Sequence, residues 1–147
     1  MKKVKLITLG LLLAGTTALT GCKKEGCIDA NAVNYDSEAK KDDNSCKYEG
    51  RVVFWHGQET AQNLSFTGTT SLLYYVNDEL VGSSAASTYW TGAPSCGTDG
   101  TVTDTKDLGI AKNKGYSYRV DNQSGFTIWS GTVNYTANNC EAVELSL

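Results

Sequence analysis

The chain has 147 residues, 13 of them basic and 16 acidic, a formal net charge of −3, and one histidine. An acidic balance without a basic cluster excludes nucleic acid and an anionic bilayer surface as electrostatic partners. A single imidazole excludes multi-histidine metal sites, and the length suits one small domain with a tail.

The first element is an export signal. Lys2, Lys3 and Lys5 precede an apolar run from Leu6 to Ala14 that thins into Thr16-Thr17-Ala18-Leu19. Such a run is too short to span a bilayer stably. It closes on Leu19-Thr20-Gly21-Cys22, which resembles the lipobox of bacterial lipoproteins. The resemblance implies cleavage of the signal peptide 1–21, diacylation of the Cys22 thiol, and a lipidated tether over residues 22–26. Each acyl methylene buried contributes about 0.8 kcal/mol, so two or three chains hold the protein firmly at a membrane. Loss of the three signal lysines leaves 10 basic and 16 acidic residues, a mature net charge of −6. Attachment therefore rests on lipid and not on charge. Lys23 is not the Asp that retains enterobacterial lipoproteins at the inner membrane, and Lys23-Lys24-Glu25 resembles the charged export signals of Bacteroidetes lipoproteins. The expected location is the cell envelope, at the outer membrane, with the periplasmic or surface face left open.

Five cysteines become four once Cys22 carries lipid: Cys27, Cys46, Cys96 and Cys140. In an exported chain these read as two disulfides with three pairings available. Cys27–Cys46 and Cys96–Cys140 are favoured because each pair brackets one compositionally uniform segment. By loop entropy such rings contribute about 3 and 4 kcal/mol. No Cys-x-x-Cys spacing suggests a zinc or redox site.

Residues 27–48 form a compact polar module: Gly26-Cys27-Ile28-Asp29-Ala30-Asn31-Ala32-Val33-Asn34-Tyr35 at its start and Asp42-Asp43-Asn44-Ser45-Cys46 at its end. This resembles a short cysteine-rich motif of secreted and surface proteins of Bacteroidetes, departing from it at Ile28 and Asn44. The ring gathers Asp29, Asn31, Asn34, Asp36, Asp42, Asp43 and Asn44. Oxygen ligands at that density suit a hard cation such as Ca²⁺, which takes six to eight of them. The competing reading is that Asp and Asn make turns and caps in a disulfide knot.

From residue 49 to 147 the chain reads as short β-rich runs punctuated by Gly, Asn, Asp and Ser. Arg51–Trp55 is β-branched and aromatic, and ends at His56-Gly57. Thr70–Val76 is apolar on both faces, as a central strand is. Asn77-Asp78-Glu79 turns it into Leu80–Ser83 as a hairpin. Tyr116, Tyr118 and Val120 alternate with polar residues, turn at 121–125, and return through Phe126–Val133. Glu141–Leu147 alternates Val143, Leu145 and Leu147 with polar or small residues. Helices should be few, because no apolar period of 3.6 is sustained. About seven short strands predict an all-β fold, a small antiparallel β-sandwich. The run Leu73–Gly82 resembles the strand–turn–strand of PEGA-like and carboxypeptidase-regulatory-like sandwiches, which implies an adhesion, spacer or envelope module without catalysis.

The catalytic signals are thin. No Gly-x-Ser-x-Gly precedes a serine to partner His56. Asp99, Asp104 and Asp107 offer carboxylates for glycosidase chemistry, but in a Gly/Thr/Asp loop such residues cap turns. Among the aromatics, Tyr89 and Trp90 lie in a polar run and are the candidates for an exposed sugar-stacking surface. The resulting expectation is a non-enzymatic, lipid-anchored envelope protein acting as an interaction or spacer module, with an envelope protein or glycan as partner. The second reading is a carbohydrate- or peptide-binding accessory lipoprotein of an uptake system.

Overall fold

The computed structural model describes residues 23–147; the expected signal peptide 1–21 and the lipidation candidate Cys22 lie outside them. Two short parallel strands, β1 (Glu25–Gly26) and β2 (Lys41–Asp42), belong to the disulfide-closed module. The remainder is β3 (Tyr48–Trp55), α1 (Gln58–Phe66), β4 (Ser71–Val76), β5 (Glu79–Ala85), β6 (Val102–Gly109), β7 (Asn113–Asn122), β8 (Thr127–Thr136) and β9 (Cys140–Glu144).

Seven strands form two sheets, one ordered β6-β3-β9 and the other β5-β4-β7-β8. Both feed one core. Val52 and Phe54 of β3 and Leu108 of β6 meet Leu72, Tyr74 and Val76 of β4, Val120 of β7, and Val133 and Tyr135 of β8. The alternation of these side chains along each strand is the period-2 burial that a sheet imposes. β4 is a central strand, as its two apolar faces predict. All pairings between these seven strands are antiparallel except β3–β9. The chain leaves β8 through a three-residue turn and crosses to the other sheet. β9 therefore runs alongside β3 in the same direction.

Two glycines mark where the sheets approach most closely. A Cβ on Gly50 would sit 2.9 Å from the Tyr135 Cβ, and one on Gly82 would sit 2.8 Å from a Val102 methyl. Only a bare backbone permits β3 to approach β8, and β5 to approach β6, this closely. The Asn77-Asp78 turn has φ of 51° and 63°, the left-handed pair of a two-residue hairpin.

Val53 faces away from the core yet is fully buried. The long connection between β5 and β6 lies over it. The Gly97 amide donates to Oγ1 of Thr103, the cross-strand partner of Val53, and Cys96 is bonded to Cys140 of β9. Cys27–Cys46 closes the module. Both disulfides are those favoured from local composition.

The module packs on the sandwich. Cys27 and Ala32 join its core cluster. The Val33 amide donates to the Lys47 carbonyl, and Asn34 binds the Ser45 carbonyl and the Lys47 amide at 2.8 Å each.

Candidate functional site

Hydrogen bonds sort the loops into two ends. At the module end lie the start of β3, the β6–β7 turn and the β8–β9 turn, since Tyr48 pairs with Gly109 and the Asn138 amide donates to Glu49. At the far end the His56 Nε2 lies 3.1 Å from the Ala86 carbonyl, the Ala86 amide donates to Thr70, and the Thr70 amide donates to Gln123. The exits of β3, β5 and β7 therefore share that end with α1.

The centre of the module end is Asp29. Its carboxylate accepts from the Tyr48 hydroxyl at 2.9 Å and the Asn31 amide at 2.9 Å, and pairs with Lys112 at 2.6 Å. The Lys112 ammonium first, then the Asn31 amide and the Tyr48 hydroxyl, hold its carboxyl well below the usual carboxylate range. This one side chain clips the module to β3 and to the β6–β7 turn.

The remaining oxygens of the ring are spread around it. Asp36 pairs with Lys24 at 2.9 Å and accepts from the Glu38 amide; Lys24 also holds its carboxyl below the usual range. Asp42 and Asp43 accept from the amides of Asn44 and Ser45. Asn34 is turned inward to the chain, as above. Asp29, Asp42 and Asn44 do line one groove of about 350 Å³, but Lys112 lines it too and places a positive charge on Asp29. The structure thus does not bring Asp29, Asn31, Asn34, Asp36, Asp42 and Asp43 to one point. Among the described residues no three acidic, histidine or cysteine side chains form a metal-holding group.

The far end exposes aromatic side chains. Phe66, the last residue of α1, is 95% exposed, Phe126 of the β7–β8 hairpin 73%, and Tyr89 45%. Gln123 ties two of these segments together: its amide nitrogen donates to the Gly68 carbonyl at 3.0 Å while its oxygen accepts from Thr70. Asn122 shapes the hairpin by accepting from the Ser124 and Phe126 amides. On the flank of α1 a groove of about 230 Å³ runs between Ala61, Gln62 and Ser65 on one side and Ser87 and Tyr89 on the other.

Tyr89 and Trp90 diverge and form no common platform. Trp90 donates its amide to the His56 carbonyl, and its ring lines a narrow cleft with Phe54, Trp55, Tyr74 and Val102. Tyr89 is exposed and Trp90 half-buried. His56 itself is 2% exposed, stacks on Trp129 at 6.4 Å, and is driven toward its neutral form by burial.

Of the carboxylates near residue 104, Asp107 caps a turn as the composition suggested, accepting from the Gly109 amide at 2.7 Å, whereas Asp104 does not. Asp104 and Asp107 lie in β6, a strand hidden by its Thr, Asp and Lys content. Three residues apart on a strand, they point to opposite faces. Asp104 is 8% exposed and accepts from the Tyr135 hydroxyl at 2.6 Å. Lys106 lies 3.5 Å from it and 3.1 Å from Glu79. Burial disfavours the Lys106 charge, but Glu79 and Asp104 outweigh it and its pKa is raised. This network ties β6 to β8 and β5 through the core edge.

The sequence did carry one signal of the far end that motif reading misses. All ten basic residues after Cys22 fall within 23–51 and 106–119; residues 52–105 and 120–147 contain none. No family model, curated protein or solved structure matches the chain.

Proposed function

We propose that this chain is a lipid-anchored, non-enzymatic envelope protein whose sandwich is an interaction module, presenting its aromatic end away from the membrane. The observation that carries this reading is the opposition of the two ends. Glu25 is already paired with Lys41 in β1, and three residues of chain reach at most about 10 Å. A diacylated Cys22 would therefore seat the module end against the lipid headgroups. β7, with ten residues, sets the far end about 30 Å beyond.

Two experiments test it. Cys22→Ser should leave an uncleaved precursor that incorporates no palmitate; unchanged labelling removes the anchor. In cells, a photo-crosslinking amino acid at Phe126 should capture an envelope protein that the same group at Lys114, near the module end, does not. Equal capture from both sites removes the far end as the interaction face.

A second reading is a carbohydrate-binding accessory lipoprotein. It is favoured by the Tyr89 groove, where an aromatic face meets the amides of Gln58 and Gln62. Binding on a glycan array that disappears in Tyr89→Ala would support it over the first.

A further inference from the structure

The partner at the far end can be characterised by charge. Four separate segments build that end: α1 with its exit, the β5–β6 connection, the β7–β8 hairpin, and the end of β9 with the residues after it. Each falls in a stretch without a single Lys or Arg. Their ionised groups at the surface are carboxylates only, Glu59, Asp99 and Glu144, all exposed. The same end exposes Phe66, Phe126 and Tyr89.

Scattered apolar side chains on a surface are ordinary. Two of the segments that carry them are tied together: the bridge from Gln123 to Gly68 and Thr70 locks the Phe126 hairpin to the chain leaving α1. Exposed aromatic rings on segments whose surface charges are carboxylates, with no Lys or Arg among them, attract positive charge by two additive routes. Ring faces bind ammonium and guanidinium groups, and a rim of one sign steers and orients an oppositely charged partner. The same arrangement disfavours the other occupants. Two copies meeting end to end would set carboxylate against carboxylate, and an anionic membrane surface would find no cation to meet it.

We infer that the far end of the sandwich, with Phe66, Phe126 and Tyr89 and the carboxylates of Glu59, Asp99 and Glu144, docks a cationic polypeptide segment that also carries apolar side chains. This rests on the reading of that end as the interaction face and names the chemistry of what it binds.

The test uses the full lipidated protein in zwitterionic nanodiscs and two synthetic 12-residue probes, one alternating Lys and Leu, the other Glu and Leu. Each carries a benzophenone, and adducts are mapped by peptide mass spectrometry. The Lys/Leu probe should label the segments around Phe66, Tyr89 and Phe126. That labelling should fall about tenfold in Phe66→Ser/Phe126→Ser, and severalfold in 0.5 M salt or in Glu59→Gln/Glu144→Gln. Because these side chains are exposed, unchanged thermal melts of the variants should show that folding is intact.

Equal labelling of the far end by the Glu/Leu probe would overturn the cationic assignment while leaving the interaction face standing. So would labelling that salt leaves unchanged and a neutral oligosaccharide displaces, which would point to a glycan. Adducts between two copies of the chain would assign the end to self-association instead. Labelling confined to the module end would overturn the cationic assignment and the interaction face together.

Discussion

Tyr135→Phe isolates a buried side-chain contact between the two sheets of the sandwich. Tyr135 has no exposed surface, and its hydroxyl donates to Asp104 at 2.6 Å. The substitution keeps the ring, including its edge-on packing against Tyr116 at 5.3 Å, and deletes only the hydroxyl. Asp104, 8% exposed, then keeps Lys106 at 3.5 Å as its remaining partner. Loss of a hydrogen bond to a charged group with its acceptor left buried costs about 1.5–3 kcal/mol. For a domain of this size that is a fall in Tm of about 5–12 °C. The pH dependence supplies a second, independent signature. Burial first, then the Asp104 hydrogen bond, raises the Tyr135 pKa far above its ordinary value. A group whose folded pKa is raised stabilises below its unfolded pKa and loses that contribution as pH rises. In the wild type, therefore, the Tyr135 contribution is complete below about pH 10 and declines above it. The phenylalanine variant has no such group. Urea denaturation at pH 7, 9 and 10.5 should show a constant gap between the two proteins at the first two values and a narrower gap at the third. A difference under about 0.5 kcal/mol at pH 7, or a gap that does not narrow, would refute the assignment of the hydroxyl as a tie between β6 and β8.

Asp29→Ala should loosen the module without loosening the sandwich. Hydrogen exchange should accelerate across 27–46 and stay slow in β4 and β7; uniform acceleration would contradict the clip to Tyr48 and Lys112. Because the folded pKa of Asp29 is depressed, protection of the module in the wild type should hold from neutral pH down through about pH 5 and weaken only below about pH 4, where the unfolded carboxyl titrates. Gly50→Ala should cost about 1–3 kcal/mol, since its methyl meets the Tyr135 Cβ and the Thr136 backbone; Gly92→Ala, which meets nothing, should stay within about 0.5 kcal/mol of the wild type in the same denaturation assay. Cys96→Ala/Cys140→Ala should lose about 4 kcal/mol by loop entropy over a separation of 44 residues. It should also speed amide exchange at Val53 as the covering connection lifts, and slow exchange there would show that the disulfide does not hold the cover in place.

Much of the fold was legible because strand burial repeats every second residue. The β7 run shows that alternation directly, β4 reads as a central strand because it is apolar on both faces, and Asn77-Asp78 names its own turn because Asn and Asp tolerate the left-handed backbone that a two-residue hairpin requires. The disulfide pairing followed from composition alone. What escaped was decided by partners distant in sequence. α1 buries only Thr60, Ala61 and Leu64, too few apolar positions to mark a period over nine residues. β6 reads as a polar loop because its inward positions include Asp104 and Lys106. An aspartate can occupy an inward position there only because Tyr135, 31 residues further on, supplies a donor across the core. Tyr89 and Trp90 are equivalent in sequence and unlike in space, since one lines the groove beside α1 and the other the cleft beside His56. The far end itself is assembled from four segments that the two sheets carry to one side. Local sequence sets the faces of each strand, whereas which loops become neighbours depends on the order in which strands pair.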